Sequence, residues 1–308
     1  MSDALRQTVL RQFATVPLPA TGTAVLSPID GLTLIRAAAP GGIEHAIARP
    51  LACLVLQGRK QVTTGARTLA FGAGDSLLIS ADMPTSSQIT GAPYLSLVID
   101  LDFALIAELV EDMRSADAGD PTLVADRGSA MATAVCVEPT DAETADAALR
   151  LLHLLDRPQS IPVLRAALMR ELHYWLLAGR HGAAIRRIGA PDSQAHRVAR
   201  AVALLRQDYG RPLPVERLAA IAGMSPSSFH AHFRAITSLS PLQFQKQLRL
   251  IEARRLMIAQ GIPASRAAFA VGYESVPQFT REYRRLFGQP PGRDADSMRQ
   301  SMRSSVAA

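Results

Sequence analysis

A chain of 308 residues that is 48% hydrophobic, 19% charged and 5% aromatic, with a formal net charge of +6, has the make-up of a folded protein of about two domains. It is not disordered, collagenous or disulfide-stapled. No apolar run approaches the roughly 18 residues of a membrane span, and MSDALRQTVLRQF at the N-terminus lacks a signal-peptide core, so a cytoplasmic protein is expected.

The first half alternates apolar and polar residues over short runs: Leu32–Ile35, Leu51–Leu56, Gln61–Thr64, Thr68–Phe71, Leu77–Ile79 and Tyr94–Leu101. Turn signals lie between them at Pro40-Gly41-Gly42, Gly58, Gly65, Gly72-Ala73-Gly74-Asp75 and Gly91-Ala92-Pro93. Short strands so punctuated predict an antiparallel sandwich or barrel. The period then lengthens, and Phe103–Met113, Asp141–Leu155 and Val163–Leu177 read as amphipathic helices. Gly179–Asp192, rich in Gly and Arg, reads as a linker. From His196 the chain reads as almost wholly helical, fraying from Arg293. The expected division is residues 1–189, 190–295, and a flexible tail at 296–308.

Charge follows that division. Residues 190–308 carry 17 Lys+Arg against 8 Asp+Glu, a net of +9, whereas residues 1–189 carry 16 against 19, a net of −3. Lys60 and Lys246 are the only lysines, so arginine is a habit of the whole chain. A habit shared by both halves does not explain their difference; a polyanionic partner for the second half does.

Pro214–Ile236 is punctuated as helix, tight turn, helix. Val215, Leu218, Ala219 and Ala222 share a face, Gly223 can end the helix at positive φ, Ser225 can cap the next one and Pro226 suits its first position. Phe229, Phe233 and Ile236 then form an inward stripe, leaving Ser227, His230, Ala231 and Arg234 outward, a small basic face able to enter a major groove. The pattern recurs. Ala267, Ala268, Phe269 and Val271 lead to Gly272, Ser275 caps, and Phe279, Tyr283 and Phe287 form the stripe, with Pro277, Thr280, Arg281 and Arg284 outward. The second turn is one residue longer, since the glycines are 49 apart and Phe229 and Phe279 are 50 apart. Pro241–Ala259, with Leu242, Phe244, Leu248, Ile251 and Leu256, joins the two as a continuous helix roughly 28 Å long. Successive major grooves on one face of a duplex lie about 34 Å apart, so one chain can address two.

These residues carry a family resemblance. LAAIAGMSPSSFHAHFRAITSLSPLQF and AAFAVGYESVPQFTREYRRLFGQPP, within His196–Gly292, resemble the DNA-binding domain of AraC/XylS-type bacterial transcription regulators. The resemblance implies two helix-turn-helix units on double-stranded DNA. By position, Ser227, His230 and Ala231 would read bases in the first unit, and Val276, Pro277, Thr280 and Arg281 in the second. Ser228, His232, Arg234, Gln278 and Arg284 would meet phosphates, which set register without carrying sequence information. Val276 and Pro277 have no side-chain donor, so readout there is apolar contact with thymine methyls, or weak. Arg281 is either a guanine contact or a phosphate clamp.

Residues 20–185, through RPLACLVLQGRKQVTTG, GAGDSLLIS and PYLSLVIDLD, resemble more loosely the N-terminal regulatory domain of one branch of that family, implying a cupin-like β-barrel followed by helices. The fold class expected for the chain is multidomain α+β: this barrel with its helices, then an all-α domain of two helix-turn-helix units and a linker helix. Enzymatic cupins hold a metal with several histidines; His45 stands alone, and SLLISADMPTSSQIT has none, so no metal and no cofactor are expected. Cys53 and Cys136, 83 positions apart, form no ligand cluster and fit a reducing compartment, Cys53 behaving as a small hydrophobe. No Gly-x-Ser-x-Gly elbow, phosphate loop or His-Glu-x-x-His motif occurs. His153, His173 and His181 read as surface or satisfied histidines, Asp100 and Asp102 as solvated, and Tyr174-Trp175 as core or dimer contact. The resulting expectation is a non-enzymatic activator or repressor whose barrel takes an unknown small-molecule effector on residues such as Leu54, Leu56, Leu78 and Val98. It would form a homodimer through Ala148–Leu155 or Val163–Leu177, and engage RNA polymerase if an activator. A metal-dependent cupin fused to a DNA-binding domain and a DNA-repair alkyl acceptor are the rival readings; the latter needs an activated cysteine, which neither Cys53 nor Cys136 has the neighbours to be.

Overall fold

A computed structural model describes residues 3–18, 22–116, 134–189 and 193–306. Helix α1 (Asp3–Gln12) precedes eight strands: β1 (Thr23–Ile29), β2 (Leu32–Ala37), β3 (Glu44–Ala48), β4 (Leu51–Thr64), β5 (Arg67–Gly72), β6 (Asp75–Ile79), β7 (Met83–Asp100) and β8 (Val135–Pro139). Every pairing is antiparallel, in the order β1-β2-β7-β4-β6-β8, with β3 also on β7 and β5 also on β4.

The two longest strands, β4 and β7 at 14 and 18 residues, shape this sheet. β7 pairs with β2 through Tyr94–Ile99 and with β3 through Met83–Ser87, while β4 pairs with β6 through Leu51–Leu54 and with β5 through Arg59–Thr64. Between these stretches the β4–β7 register shifts three times, from Val55 to Lys60, and the sheet bends there. Gly58 and Gly91-Ala92-Pro93, expected to be turns, therefore lie inside continuous strands. Leu51–Leu56 and Gln61–Thr64 are one strand, and Tyr94–Leu101 is mostly the end of a longer one. At the bend Gly58 has φ +79°, and a Cβ there would sit 2.4 Å from the Gly91 carbonyl oxygen. β1, β3, β8 and the first half of β7 carry no signal in the alternation read above.

Helices α2 (Phe103–Ala116), α3 (Ala142–Leu152), α4 (Ile161–Ala178) and α5 (Gly182–Gly189) cover one face of the sheet together with α1. Ile185 of α5 is buried in that core, so most of the stretch expected to be a linker is packed helix; residues 190–192 lie outside the described residues. Leu54, Leu56 and Leu78 point into this helix-covered core, whereas Val98 packs on the opposite, folded side of the sheet. The four residues expected to share an effector pocket are thus on two faces. His173 and His181 are buried with both ring nitrogens engaged. His173 accepts from the Asp102 N–H at 3.2 Å and donates through Nδ1 to the Met169 carbonyl at 2.8 Å; His181 meets Ser76 Oγ at 2.8 Å and Cys136 Sγ at 3.6 Å. Burial pushes both imidazoles below their usual range. Asp102 caps α2, accepting from the N–H groups of Ala104 and Leu105.

The rest is helical: α6 (Gln194–Gln207), α7 (Val215–Ala222), α8 (Pro226–Thr237), α9 (Pro241–Gln260), α10 (Ala264–Ala270), α11 (Val276–Phe287) and α12 (Pro291–Val306). Within the stretch expected to be a flexible tail, 296–308, the backbone is helical to Val306 as part of α12, which docks on α9 and α11; residues 307 and 308 lie outside the described residues. Asp294 holds it there. Its buried carboxylate accepts from Arg254 Nε and Nη2 at 2.7 and 3.0 Å and from the Tyr283 hydroxyl at 2.7 Å, and Ala295 is buried beside it.

The β half and the first helical unit share one apolar cluster, in which Val62, Phe71, Met83 and Tyr94 are continuous with Val202, Phe229, Phe233 and Phe244. Polar contacts reinforce it. Thr64 Oγ1 donates to the Thr237 carbonyl at 3.3 Å, the Ala134 N–H donates to the Ile236 carbonyl at 3.0 Å, and Arg206 is paired with Asp82. Further along, the His45 ring meets Phe287 edge-on, centroids 4.8 Å apart. Among the described residues no helix is long and apolar enough to cross a membrane.

Candidate nucleic-acid interface

Each of the two helical units is set by its own punctuation. α7 ends with Gly223 at φ +61°, the Gly223 and Met224 N–H groups closing the turn on the carbonyls of Ala220 and Ala219. Ser225 accepts from the Ser228 N–H and Pro226 opens α8. One residue longer, the second turn repeats this: the Gly272 and Tyr273 N–H groups bond Phe269 and Ala268, and Ser275 accepts from the Gln278 N–H. The connecting α9 opens with a reciprocal cap between Ser240 and Gln243 and runs 20 residues, about 30 Å.

The aromatic stripes face inward as the spacing requires. Phe229, Phe233, Phe279 and Tyr283 are wholly buried. Phe233 lies 5.4 Å from both Phe229 and Phe244, tying α8 to α9, while Tyr273, Phe279, Tyr283 and Phe287 form a chain of ring contacts 4.3–5.4 Å long at each step. Leu242 is the exception on α9. It is exposed, because Phe244 and Leu248 take the inward positions.

With the inner stripes fixed, the opposite faces turn to solvent even with the β half in place. Ser227, His230, Ala231 and Arg234 are exposed on α8, and Pro277, Arg281 and Arg284 on α11, with Val276 and Thr280 partly covered. The Thr280 hydroxyl donates to the Val276 carbonyl at 2.9 Å, so toward a base it is left as an acceptor. Ser228 and His232 are partly covered. Gln278 is partly covered, and its side-chain nitrogen donates to Glu282 at 3.2 Å.

Glu282 is the centre of an arrangement that sequence reading missed. It also accepts from Lys246 Nζ at 2.7 Å and from the Tyr273 hydroxyl at 2.8 Å. Burial pushes its carboxyl up, but these three donors outweigh burial and hold it below the usual carboxylate range. Arg249 adds a second tie, donating to the carbonyls of Tyr209 and Gly272 at 2.7 and 2.9 Å. The basic residues thereby separate into two sets. Arg197, Arg206, Lys246, Arg249, Arg254 and Arg299 are bonded within the protein. Arg217, Arg234, Arg266, Arg281, Arg284 and Arg285 are exposed and make no ion pair among the described residues. Spacing alone distinguishes the second set only on the helix faces; the first set depends on partners distant in the chain.

Two family models match the chain. The N-terminus of AraC-type transcriptional regulators matches residues 28–184, and a helix-turn-helix domain matches residues 218–296. Among characterised relatives, the RCS-specific HTH-type transcriptional activator RclR of Escherichia coli is 36% identical over 91 residues, covering 30% of this chain and 32% of RclR. The regulator GlxA of Rhizobium meliloti is 34% identical over 82 residues, covering 27% and 25% respectively. The match thus spans a third or less of these relatives' lengths. Among solved structures, ToxT of Vibrio cholerae bound to (E)-4-(8-methylnaphthalen-1-yl)but-3-enoic acid aligns over 86% of this chain and 97% of its own, with a TM-score of 0.55 at 9% identity. ToxT with an unsaturated fatty acid bound aligns over 91% and 97%, with a TM-score of 0.50 at 9% identity. At that identity the likeness is one of fold.

Proposed function

Because the chain belongs to the AraC-type transcriptional regulators, we propose that it binds double-stranded DNA sequence-specifically, laying α8 and α11 in two adjacent major grooves under the control of a small molecule bound by its β half. One observation carries this reading: two helices, punctuated alike and anchored by buried aromatics, each turn a solvent-facing surface with unpaired arginines away from the protein. In this reading Ser227, His230 and Ala231 read bases through α8, and Val276, Pro277, Thr280 and Arg281 through α11. Arg234, Arg284, Ser228 and His232 meet phosphates. Gln278 contributes by fixing Glu282 rather than by touching DNA. The relatives are named as transcription regulators, and the ToxT neighbours hold organic acids, which supports effector control of this fold.

Function in pairs is part of the proposal. Val163, Leu164 and Tyr174 are exposed on α4, at 75%, 45% and 37%, a surface suited to a second copy of the chain. The protein then acts by binding, in the cytoplasm, without catalysis, and touches RNA polymerase if it activates. Selection of bound DNA from a random pool followed by footprinting tests the reading. Two protected segments about 10 base pairs apart on one face are expected. Arg281→Ala is expected to relax preference at one base pair, costing about 1–3 kcal/mol there if the contact is bidentate to guanine. Equal weakening on all sequences assigns Arg281 to a phosphate, and no selected consensus at all refutes sequence-specific binding.

A further inference from the structure

The two reading helices are not equally furnished. α11 has Arg284 and Arg285 in its last turn, whereas α8 has Arg234 alone, with Ala235 standing where α11 has Arg285. The last turn of a helix is its negative end and repels a phosphate, so α8 carries less to offset that end against DNA. The β half meets this turn directly. Thr64 Oγ1 and the Ala134 N–H occupy the carbonyls of Thr237 and Ile236, and Gly65 packs on the Ser238 carbonyl so closely that a Cβ has no room. Ser238 follows Arg234 by four residues and so lies one turn on, on the outward side of α8. Arg67 pairs across the β4–β5 hairpin with Thr64, the two Cβ atoms being about 5 Å apart on one face of the sheet. It therefore projects toward the end of α8. It is exposed, and its guanidinium has no hydrogen-bond or ion-pair partner among the described residues.

The charge of the hairpin departs from that of its half. Residues 1–189 carry a net of −3, yet between Glu44 and Asp75 stand Arg49, Arg59, Lys60 and Arg67 with no carboxylate. α8 has no carboxylate either. A free guanidinium beside a helix end, with no anion on either element, is placed to take one from outside. We propose that the tip of the β4–β5 hairpin is part of the DNA interface, Arg67 taking a backbone phosphate at the edge of the groove that α8 enters. It supplies from the β half the charge that Arg285 supplies on α11. This rests on the DNA binding proposed above and adds to it a contact made by the other half of the chain. The hairpin reads no base; its phosphate contact fixes the register of the first unit. Any movement of the β half that lifts the tip from Ser238 withdraws that contact.

The test uses the full chain and a duplex carrying its selected consensus, with affinity measured by fluorescence anisotropy at several salt concentrations and contacts by hydroxyl-radical footprinting. Arg67→Ala should weaken binding a few-fold at low salt and reduce the slope of log affinity against log salt by about one. The consensus should stay the same, and protection should be lost only beside the segment covered by α8. Arg67→Lys should keep the slope, since an ammonium also serves a phosphate. Arg59 is the control: it is exposed on the other face of the hairpin, its side chain lying across Gly72 and Gly91. Arg59→Ala should leave slope and footprint as in the wild type. The proposal is overturned if Arg67→Ala keeps the wild-type slope and footprint, or if both alanine variants lower the slope alike, which is charge acting at a distance. Tighter binding by Arg67→Ala also overturns it and makes the hairpin an obstruction to DNA. Normal DNA binding with an indifferent Arg67 removes this contact alone, whereas a wild type that selects no consensus removes the reading on which it rests.

Discussion

Asp294→Ala should cost far more than a change near the end of a chain ordinarily does. The Asp294 and Arg254 side chains are 10% and 13% exposed, joined by two hydrogen bonds, with the Tyr283 hydroxyl as a third donor to the same carboxylate. Truncation strands a guanidinium against the Phe287 ring, 4.9 Å away, and a buried phenol without an acceptor. Breaking a buried pair from one side costs about 3–5 kcal/mol. That is a large share of the roughly 5–15 kcal/mol a domain has. The loss should be local, because α11, α12 and the second half of α9 form their own apolar cluster. The single tryptophan, Trp175, packs in the helix-covered core of the β half and provides an internal control. In urea, helical circular dichroism should lose amplitude at lower denaturant in the variant while the tryptophan transition holds its midpoint. Tyr283→Phe, which spares the ion pair, should cost only about 1 kcal/mol. An Asp294→Ala protein within about 0.5 kcal/mol of wild type, the range of ordinary surface substitutions, would refute the assignment of α12 as a structural clamp on α11.

Gly65 has φ +56° and a Cβ there would fall 2.4 Å from the Ser238 carbonyl oxygen, so Gly65→Val should part the β4–β5 turn from the end of α8. Tryptophan and circular-dichroism melts that are less coincident than in wild type would show it, and superimposable melts would contradict the contact. His173 and His181 are held neutral, their folded values lying below the ordinary 6.5. The unfolded chain therefore binds more protons as pH drops below about 6.5, and the β half should lose stability progressively from there until the depressed folded values are passed. A tryptophan-monitored urea midpoint unchanged between pH 7.5 and 5.5 would exclude this. Glu282 gives the parallel effect at lower pH: its stabilising contribution is present above the ordinary carboxylate value and is lost as pH falls through its depressed one. On DNA, Arg234→Ala and Arg284→Ala should each reduce the slope of log affinity against log salt by about one without changing the selected consensus; a changed consensus would make them base readers.

The two reading helices were legible because their determinants are local. Gly223, Ser225-Pro226 and the four-residue spacing of Phe229 and Phe233 act within a turn or two of helix, and the repeat at Gly272 and Phe279 confirms the pattern. The outward residues follow from the inward ones by geometry, and all but the partly covered Thr280 are exposed with the β half present. Spacing does not show that the Gln278 side chain bonds Glu282, a carboxylate also held by Lys246 from a different helix.

In the β half, alternation located strand interiors but not strand ends. Glycine and proline signal irregular backbone without distinguishing a turn from a bulge, and only the β4–β7 pairing made Gly58 and Gly91 points on one bend. The pairing also put Leu54 and Val98 on opposite faces, since shifts in register reassign sides. Helix periodicity, caps and charge asymmetry were thus determined by the sequence alone, being short-range or additive properties. Which strand met which, that residues 182–189 and the C-terminal segment pack rather than fray, and that the β4–β5 hairpin meets the end of α8 were decided only by tertiary structure. Each depends on contacts between residues far apart in the chain, whose formation no local propensity encodes.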